Sequence, residues 1–374
     1  MRSVLTHINK LVILFSVAVV SVCCAGKEDK QPIDTTIAKI DISTKNLINI
    51  AGDPDNIITS LRVMVFHSGS YLRFNEKVTS GLPSDPGLGW FDFTLNLKTG
   101  NYDFVFIVNE DSDEEVHSDA GNKTLSAILD GYDSYKTVNN IYNEYFNSSS
   151  FRNDYSIPMT TIVRDVEVKG DNEIYIGGSS TRQPTPWAVN VTRTGIRVDL
   201  CIQTASLNMK NGFAGIQLKN VPSKVYMFDK TPANQPKYNV TGSSSFEGTL
   251  KSYRAFDNKD GDIYTDLGGG NYTIEATDTE VEFEWNATTQ KWYLYKRLIL
   301  PETFFATKTD GSLGITLEAL VYDWTKSLVL SDQAETDYTI PRNYRCRVNG
   351  TIISDDIEFS VSVNPWDNNI NIPL

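Results

Sequence analysis

Apolar and polar residues alternate with a period of two along most of this chain, and that pattern admits β-structure and little else. Ala38, Ile40 and Ile42 alternate with Lys39, Asp41 and Ser43. Phe91, Phe93, Leu95 and Leu97 alternate with Asp92, Thr94 and Asn96. Further on, Ile196–Ile202, Val281–Trp285 and Phe359–Val363 repeat the pattern. Such a strand offers one face to a core and the other to water, and many short ones in sequence imply packed sheets. Leu61–Phe66 (LRVMVF) departs from it as a nearly continuous apolar strand, and Tyr102–Val108 (YDFVFIV) follows a Thr99-Gly100-Asn101 turn, so Phe91–Leu97 and Tyr102–Val108 are expected to form a hairpin. One stretch is helical instead. Lys123–Phe146 places Leu125, Ile128, Leu129, Tyr132, Val138, Ile141, Tyr142 and Tyr145 at three- and four-residue spacing, in two pieces around Gly131. It is expected to cover one side of the first sheet.

The chain has 374 residues, enough for two domains. Gly177–Pro186 (GGSSTRQPTP) is the richest stretch in Gly, Ser and Pro and reads as the linker. The expected organisation is a signal segment over 1–24, a polar tether over 25–34, a β-sandwich over 35–183 and a second over 184–374, both antiparallel.

The N-terminus addresses the compartment. Arg2 and Lys10 flank a short basic start, and Leu11–Val22 is an apolar run too short to span a bilayer permanently. It ends at Cys23-Cys24, and an apolar run followed by cysteine resembles a bacterial lipoprotein signal. Cys24 is the expected acylation site, with Cys23 the alternative, and an ordinary secretory signal cut near Ala25 stays open. Lys27-Glu28-Asp29 resembles the tag that sends lipoproteins of Bacteroides-type bacteria to the outer face of the outer membrane. Each buried methylene of the acyl chains contributes about 0.8 kcal/mol, so several chains anchor firmly.

The formal net charge of −13 argues against nucleic-acid binding and against docking on anionic membrane. Beyond the signal only Cys201 and Cys346 remain; export permits a bridge, but their strand parities disagree, and the pairing stays open. The sequence contains no Gly-x-Ser-x-Gly elbow, no His-Glu-x-x-His, no P-loop and no dinucleotide fingerprint. His67 and His117 read as surface residues. Asp257–Asp262 (DNKDGD) resembles the middle of a calcium loop, but Phe256 and Leu267 fall where oxygen ligands belong, and an Asp-Gly hairpin is the better reading. No catalytic residue, metal or cofactor is therefore expected. Among the tryptophans, Trp90, Trp285 and Trp292 read as core, and Trp187, Trp324 and Trp366 as the better candidates for stacking on a sugar.

Four stretches carry a resemblance to a known family. They are the lipoprotein start leading to Thr36–Thr44 and Leu61–Phe66, the arm TGNYDFVFIVNE (Thr99–Glu110), RTGIRVDLCI (Arg193–Ile202), and PRNYRCRVNGTI with FSVSVNPW within Pro341–Trp366. In this order they resemble the fimbrillins, the fimbrial subunit lipoproteins of Bacteroides-type bacteria. The resemblance implies two transthyretin-like β-sandwich domains and assembly by strand exchange. In that family a protease removes the N-terminus with the first strand, and a neighbour's C-terminal strand fills the groove, so the same is implied for this chain. No Arg lies between Arg2 and Arg62, so Lys45, directly after the first strand, is the candidate cleavage point. Ile40 and Ile42 would leave the groove, and Ile370, Ile372 and Leu374 of the tail would enter a neighbour's. The implied partners are other fimbrial subunits, the outer membrane through the lipid, and a host or bacterial surface glycan or protein. The alternative is a non-polymerising surface lipoprotein that binds glycan.

Overall fold

The computed structural model describes residues 35–44, 58–80, 90–111, 116–118, 121–147, 158–170, 173–184, 187–230, 250–259, 280–303, 314–321, 324–331, 338–354 and 356–365. In chain order the first half contains β1 (Thr35–Thr44), β2 (Leu61–His67), β3 (Leu72–Val78), β4 (Trp90–Lys98), β5 (Gly100–Val108), β6 (Val116–Ser118), β7 (Gly121–Lys123), α1 (Leu125–Asp130), α2 (Val138–Tyr142), β8 (Tyr145–Asn147), β9 (Met159–Lys169), β10 (Glu173–Ile176) and β11 (Trp187–Arg193). The second half contains β12 (Gly195–Thr204), α3 (Leu207–Gly212), β13 (Phe213–Pro222), β14 (Lys224–Tyr226), β15 (Leu250–Asn258), β16 (Glu280–Val281), β17 (Glu284–Asn286), β18 (Lys291–Pro301), β19 (Thr316–Val321), β20 (Trp324–Val329), β21 (Tyr344–Ile352) and β22 (Ile357–Pro365). The chain is mainly β, as its alternation requires.

The first half is one long sheet in the order β3-β2-β5-β9-β11-β1-β4, with β10 on β9. Leu95 and Leu97 share a buried core with Phe104, Phe106, Trp187, Val189 and Val191, so the two ends of the sheet enclose common side chains. The expected β4–β5 hairpin does not form. β4 pairs with β1, while β5 pairs with β2 and β9. Between them the chain turns a corner where the Tyr102 hydroxyl donates to Lys98 O at 2.8 Å. Alternation specifies which face is apolar, and both strands satisfy it from different positions around the core.

The apolar run of β2 is explained by burial on both faces. Leu61, Val63 and Val65 enter the sandwich core, while Met64 and Phe66 enter a second cluster with Val105 and Ile107 of β5. The helices close that second cluster through Leu125, Ile128, Leu129, Val138 and Ile141. Thr124 Oγ1 accepts from Ala127 N at 3.2 Å to cap α1, and Asn140 Oδ1 accepts from Thr137 N at 2.8 Å at the start of α2. Tyr145, expected on a helix, lies in β8, because that segment finds a strand partner in β14 of the other half.

The second half is a sandwich of β17-β18-β12-β21-β22 on β16-β15-β13-β19-β20 around one core. Parallel pairs occur in both halves, β1 with β11 and β12 with β21. β13 is kinked at Gly215, whose φ is +147° and where a Cβ would stand 2.3 Å from Phe256 O, so only glycine fits.

The Gly177–Pro186 stretch does not separate the two cores. Beyond it, Trp187, Val189 and Val191 still belong to the first, and Ile196 is the first residue of the second. The chain crosses at Arg193–Gly195, where Thr194 is fully buried and its amide donates to Pro158 O at 3.0 Å. The halves also share a sheet, β14-β8-β6-β7, and Val225, Met227 and Phe228 complete the cluster under the helices.

Candidate functional site

β1 is an interior strand although it is the first one among the described residues. Ile40 through Thr44 run parallel to Trp187–Val191 of β11. On the other side, Thr35 through Ser43 run antiparallel to Lys98–Trp90 of β4. Among the described residues β4 has no other partner, and β11 meets β9 only at Thr192 and Arg193. The two neighbours of β1 therefore depend on it for most of their ladder bonds. Taking β1 away leaves a slot with two unpaired edges, each a template for another strand.

Register relates this slot to the core. Ile40 stands opposite Trp187 and Phe93, and Ile42 opposite Val189 and Phe91. Residues directly opposite in a ladder share a face, and the Trp187 and Val189 side chains are buried. The Trp187 ring packs edge-on against Phe104 and Phe106, at centroid distances of 5.4 and 6.1 Å. Trp187, at the edge of the slot, thus belongs to an aromatic cluster with two residues of β5.

The remaining residues singled out for strand exchange and anchoring, Cys23, Cys24, Lys45, Ile370, Ile372 and Leu374, lie outside the described residues. The described chain nevertheless fixes where its last strand ends. Pro365 of β22 pairs with Tyr344, next to Asn343, and Asn343 Oδ1 accepts from Arg193 Nη1 at 3.1 Å. Thr44 pairs with Val191, two residues before that arginine. The last residue of β1 and the last residue of β22 thus both lie by the junction of the two halves, a proximity without a local signal in the sequence.

Beside that junction the second half buries a charge cluster. The Arg342 guanidinium meets Glu302, lies 2.7 Å from Asp229 Oδ1, and donates to Met227 O at 2.9 Å and Tyr226 O at 2.7 Å. Burial disfavours its charge, but Glu302 and then Asp229 outweigh this and hold its pKa above the ordinary value. Lys230 Nζ donates to Tyr142 O at 2.7 Å and lies 4.0 Å over the Tyr142 ring.

The other candidates fall as follows. Cys201 and Cys346 are both free and on opposite faces of their sheet: Cys346 is buried in the second core, while Cys201 is half-exposed and interacts with the Tyr295 hydroxyl. The aromatic expectations are partly reversed. Trp187 is buried, whereas Trp285 is 48% exposed and lies 5.1 Å from Trp292 at 55°. Trp285 is on a three-residue edge strand, which alternation does not distinguish from an interior one. Trp324 packs against the second core, and Trp366 lies outside the described residues. The His67 ring is exposed and meets Tyr102 edge-on at 5.6 Å. Asn258, counted toward a calcium loop, is buried and donates to Lys210 O and Phe213 O at 3.0 and 2.7 Å. Among the described residues no group of three or more His, Cys, Asp or Glu could hold a metal, and no helix is long and apolar enough to cross a membrane.

No protein-family profile matches the chain, and no curated protein matches it by sequence. Solved structures do. The tip fimbrial protein Mfa3 from Porphyromonas gingivalis aligns over 89% of this chain and all of its own, at 13% identity and a TM-score of 0.49. A fimbrilin from the same species aligns over 88% of this chain and 97% of its own, at 12% identity and a TM-score of 0.47. A protein assigned to cell adhesion from Parabacteroides distasonis aligns over 89% of this chain and all of its own, at 11% identity and a TM-score of 0.50. The chain thus has the fold of the Parabacteroides distasonis protein over nearly its whole length.

Proposed function

We propose that this protein is a structural, adhesive subunit of a surface fimbria, assembled when the strand in the β1 slot is exchanged for one supplied by a neighbouring copy. The observation that carries the reading is the place of β1: near the N-terminus and laddered along both edges by strands that depend on it for pairing. A strand with those properties is replaceable by another of like pattern, because main-chain bonds supply affinity and alternate side chains supply register. The fold shared with an adhesion protein supports a place at the cell surface.

In this reading Cys24, or Cys23, carries the lipid that holds the precursor on the outer membrane, and Lys45 is the point of cleavage. The tail alternates Ile370, Ile372 and Leu374 with Asn369, Asn371 and Pro373, the pattern of Ala38, Ile40 and Ile42. Burying three aliphatic side chains contributes about 5–8 kcal/mol before ordering costs. Pro373 donates no ladder bond and belongs at the end of the inserted strand.

The test removes residues 1–45 by protease and follows assembly with and without Asn369–Leu374. The deletion is expected to leave a folded monomer that no longer assembles. Unchanged assembly rules out this tail as the donor. Failure of the complete chain to assemble after cleavage favours the alternative, a non-polymerising surface lipoprotein that binds glycan.

A further inference from the structure

The outer face of the β17-β18-β12-β21-β22 sheet has a chemistry unlike the rest of the molecule. Inward residues of its central strands, such as Val198, Leu200, Leu298 and Val348, fill the second core. On the opposite face the register lines up Arg297, Asp199 and Arg347 across three strands, and beside that row Arg197 and Arg345 are opposite each other. Four arginines thus surround one carboxylate in a chain whose net charge is −13. Asp199 is bonded to two of them, accepting from Arg197 Nε at 2.8 Å and from Arg345 Nε. Toward the other end of the face, Glu284 stands opposite Tyr293 and Glu358 opposite Thr351, while Lys291 Nζ donates to Gln203 Oε1, so the positive charge is concentrated in the half nearer the junction.

Next to the arginines lie two tyrosines. Tyr293 and Tyr295 stack with ring planes only 4° apart and centroids at 5.9 Å, and Tyr295 is 43% exposed. Across the same rows come Asn349 and Ser360, both exposed, with no exposed aliphatic side chain among them. A protein partner usually needs a desolvated apolar or aromatic anchor in a pocket, which this flat, polar face does not offer. Arginine forks match planar carboxylate and sulfate groups, parallel tyrosine rings offer a platform for the apolar face of a sugar ring, and short amide and hydroxyl side chains suit sugar hydroxyls.

We propose that this face binds an acidic polysaccharide. Arg297 and Arg347, two strands and about 10 Å apart, take carboxylate or sulfate groups on one chain, and the Tyr293–Tyr295 pair carries an adjoining sugar ring. Binding here is independent of strand exchange, since the face lies on the second sandwich and the β1 slot on the first.

The test uses the unprocessed full chain in detergent, so that failure to assemble does not enter. Binding is measured to polygalacturonate, to its methyl-esterified form, to heparin and to polyglutamate, at low and raised salt. The acidic polysaccharides are expected to bind and to weaken with salt, and the esterified polymer to bind at least about tenfold more weakly, the loss of one or two charge-assisted contacts. The pair Arg297→Gln with Arg347→Gln should cost a similar factor while the circular dichroism of the folded chain is retained. Tyr295→Ala should weaken the polysaccharides while leaving polyglutamate unchanged. The proposal is overturned if neither acidic polysaccharide binds, if the esterified polymer or polyglutamate binds as well as polygalacturonate, or if the arginine variants bind as the parent does. It is equally overturned if those variants block association between copies and spare glycan binding, which makes the face a contact between subunits.

Discussion

Arg62 is a charged residue in the middle of an apolar strand, and the structure gives it a reason. Its guanidinium is 2% exposed and bonded to the fully buried Glu110 at 2.6 Å, to Asp130 at 2.6 Å and to Asn75 Oδ1 at 2.8 Å. Asn75 in turn donates to Leu129 O at 2.8 Å, so the cluster ties α1 to the sheet edge. Burial lowers the Arg62 pKa, and Glu110 followed by Asp130 more than restores it. Breaking a buried pair from one side leaves an uncompensated charge, so Arg62→Ala should lower stability by about 3–5 kcal/mol, read from urea unfolding, and Arg62→Met with Glu110→Leu should recover most of that loss. Cys346 makes a different residue-scale prediction. Burial in the second core, with a smaller contribution from Asp199, pushes its thiol up to about 12, against an ordinary value of 9.0. The native state therefore holds this proton more tightly than the unfolded chain. Its contribution is complete below about pH 9 and is lost as pH rises toward 12, at about 1.4 kcal/mol per pH unit. Cys346→Ala should flatten the alkaline limb of stability against pH by one proton; an identical limb shows that another group controls it.

At the scale of elements, β1 is the strand whose removal changes most. β4 and most of β11 depend on it for pairing, whereas β2 and β5 sit between partners of their own and are buried on both faces. Cleavage at Lys45 and removal of the strand should therefore strip hydrogen-exchange protection from amides 188–191 and 91–97 and leave those of β2 and β5 slow. A peptide of sequence TTIAKIDIST, or the tail Asn369–Leu374 added in excess, should restore it, and the same peptide with Asp at the positions of Ile40 and Ile42 should not. Equal protection before and after removal means that β1 contributes little to the ladder.

The whole molecule behaves as one body through its waist. A shared four-stranded sheet, three apolar side chains of the second half buried under the helices of the first, and the Lys230–Tyr142 contact cross between the halves, and the Arg342 cluster ties the β14 segment that makes these contacts to the second sandwich. The two sandwiches are thus expected to unfold in a single calorimetric transition. Arg342→Ala leaves Glu302 buried without its main cation, at about 3–5 kcal/mol, and removes a donor from each of two carbonyls at the β14 end. The variant should split the transition in two, the first half and the second melting separately. A single transition, merely shifted downward, assigns the coupling to the apolar contacts alone.

Period-two alternation was sufficient to predict a mainly β chain in two blocks with a helical insert, because alternation is a local property of the residues that must face a core. The same logic put Cys201 and Cys346 on different faces. Partner choice is not local. Nothing between Phe91 and Val108 reveals that β4 pairs with a strand more than fifty residues before it instead of with β5 two residues after it. The linker composition at 177–186 is likewise a local signal, overruled because Trp187, Val189 and Val191 fit a hole in the first core. Trp187 and Trp285 exchanged their expected roles for the same reason: a tryptophan on an alternating strand is inside or outside according to whether another layer covers that strand, and only the folded arrangement of layers decides that.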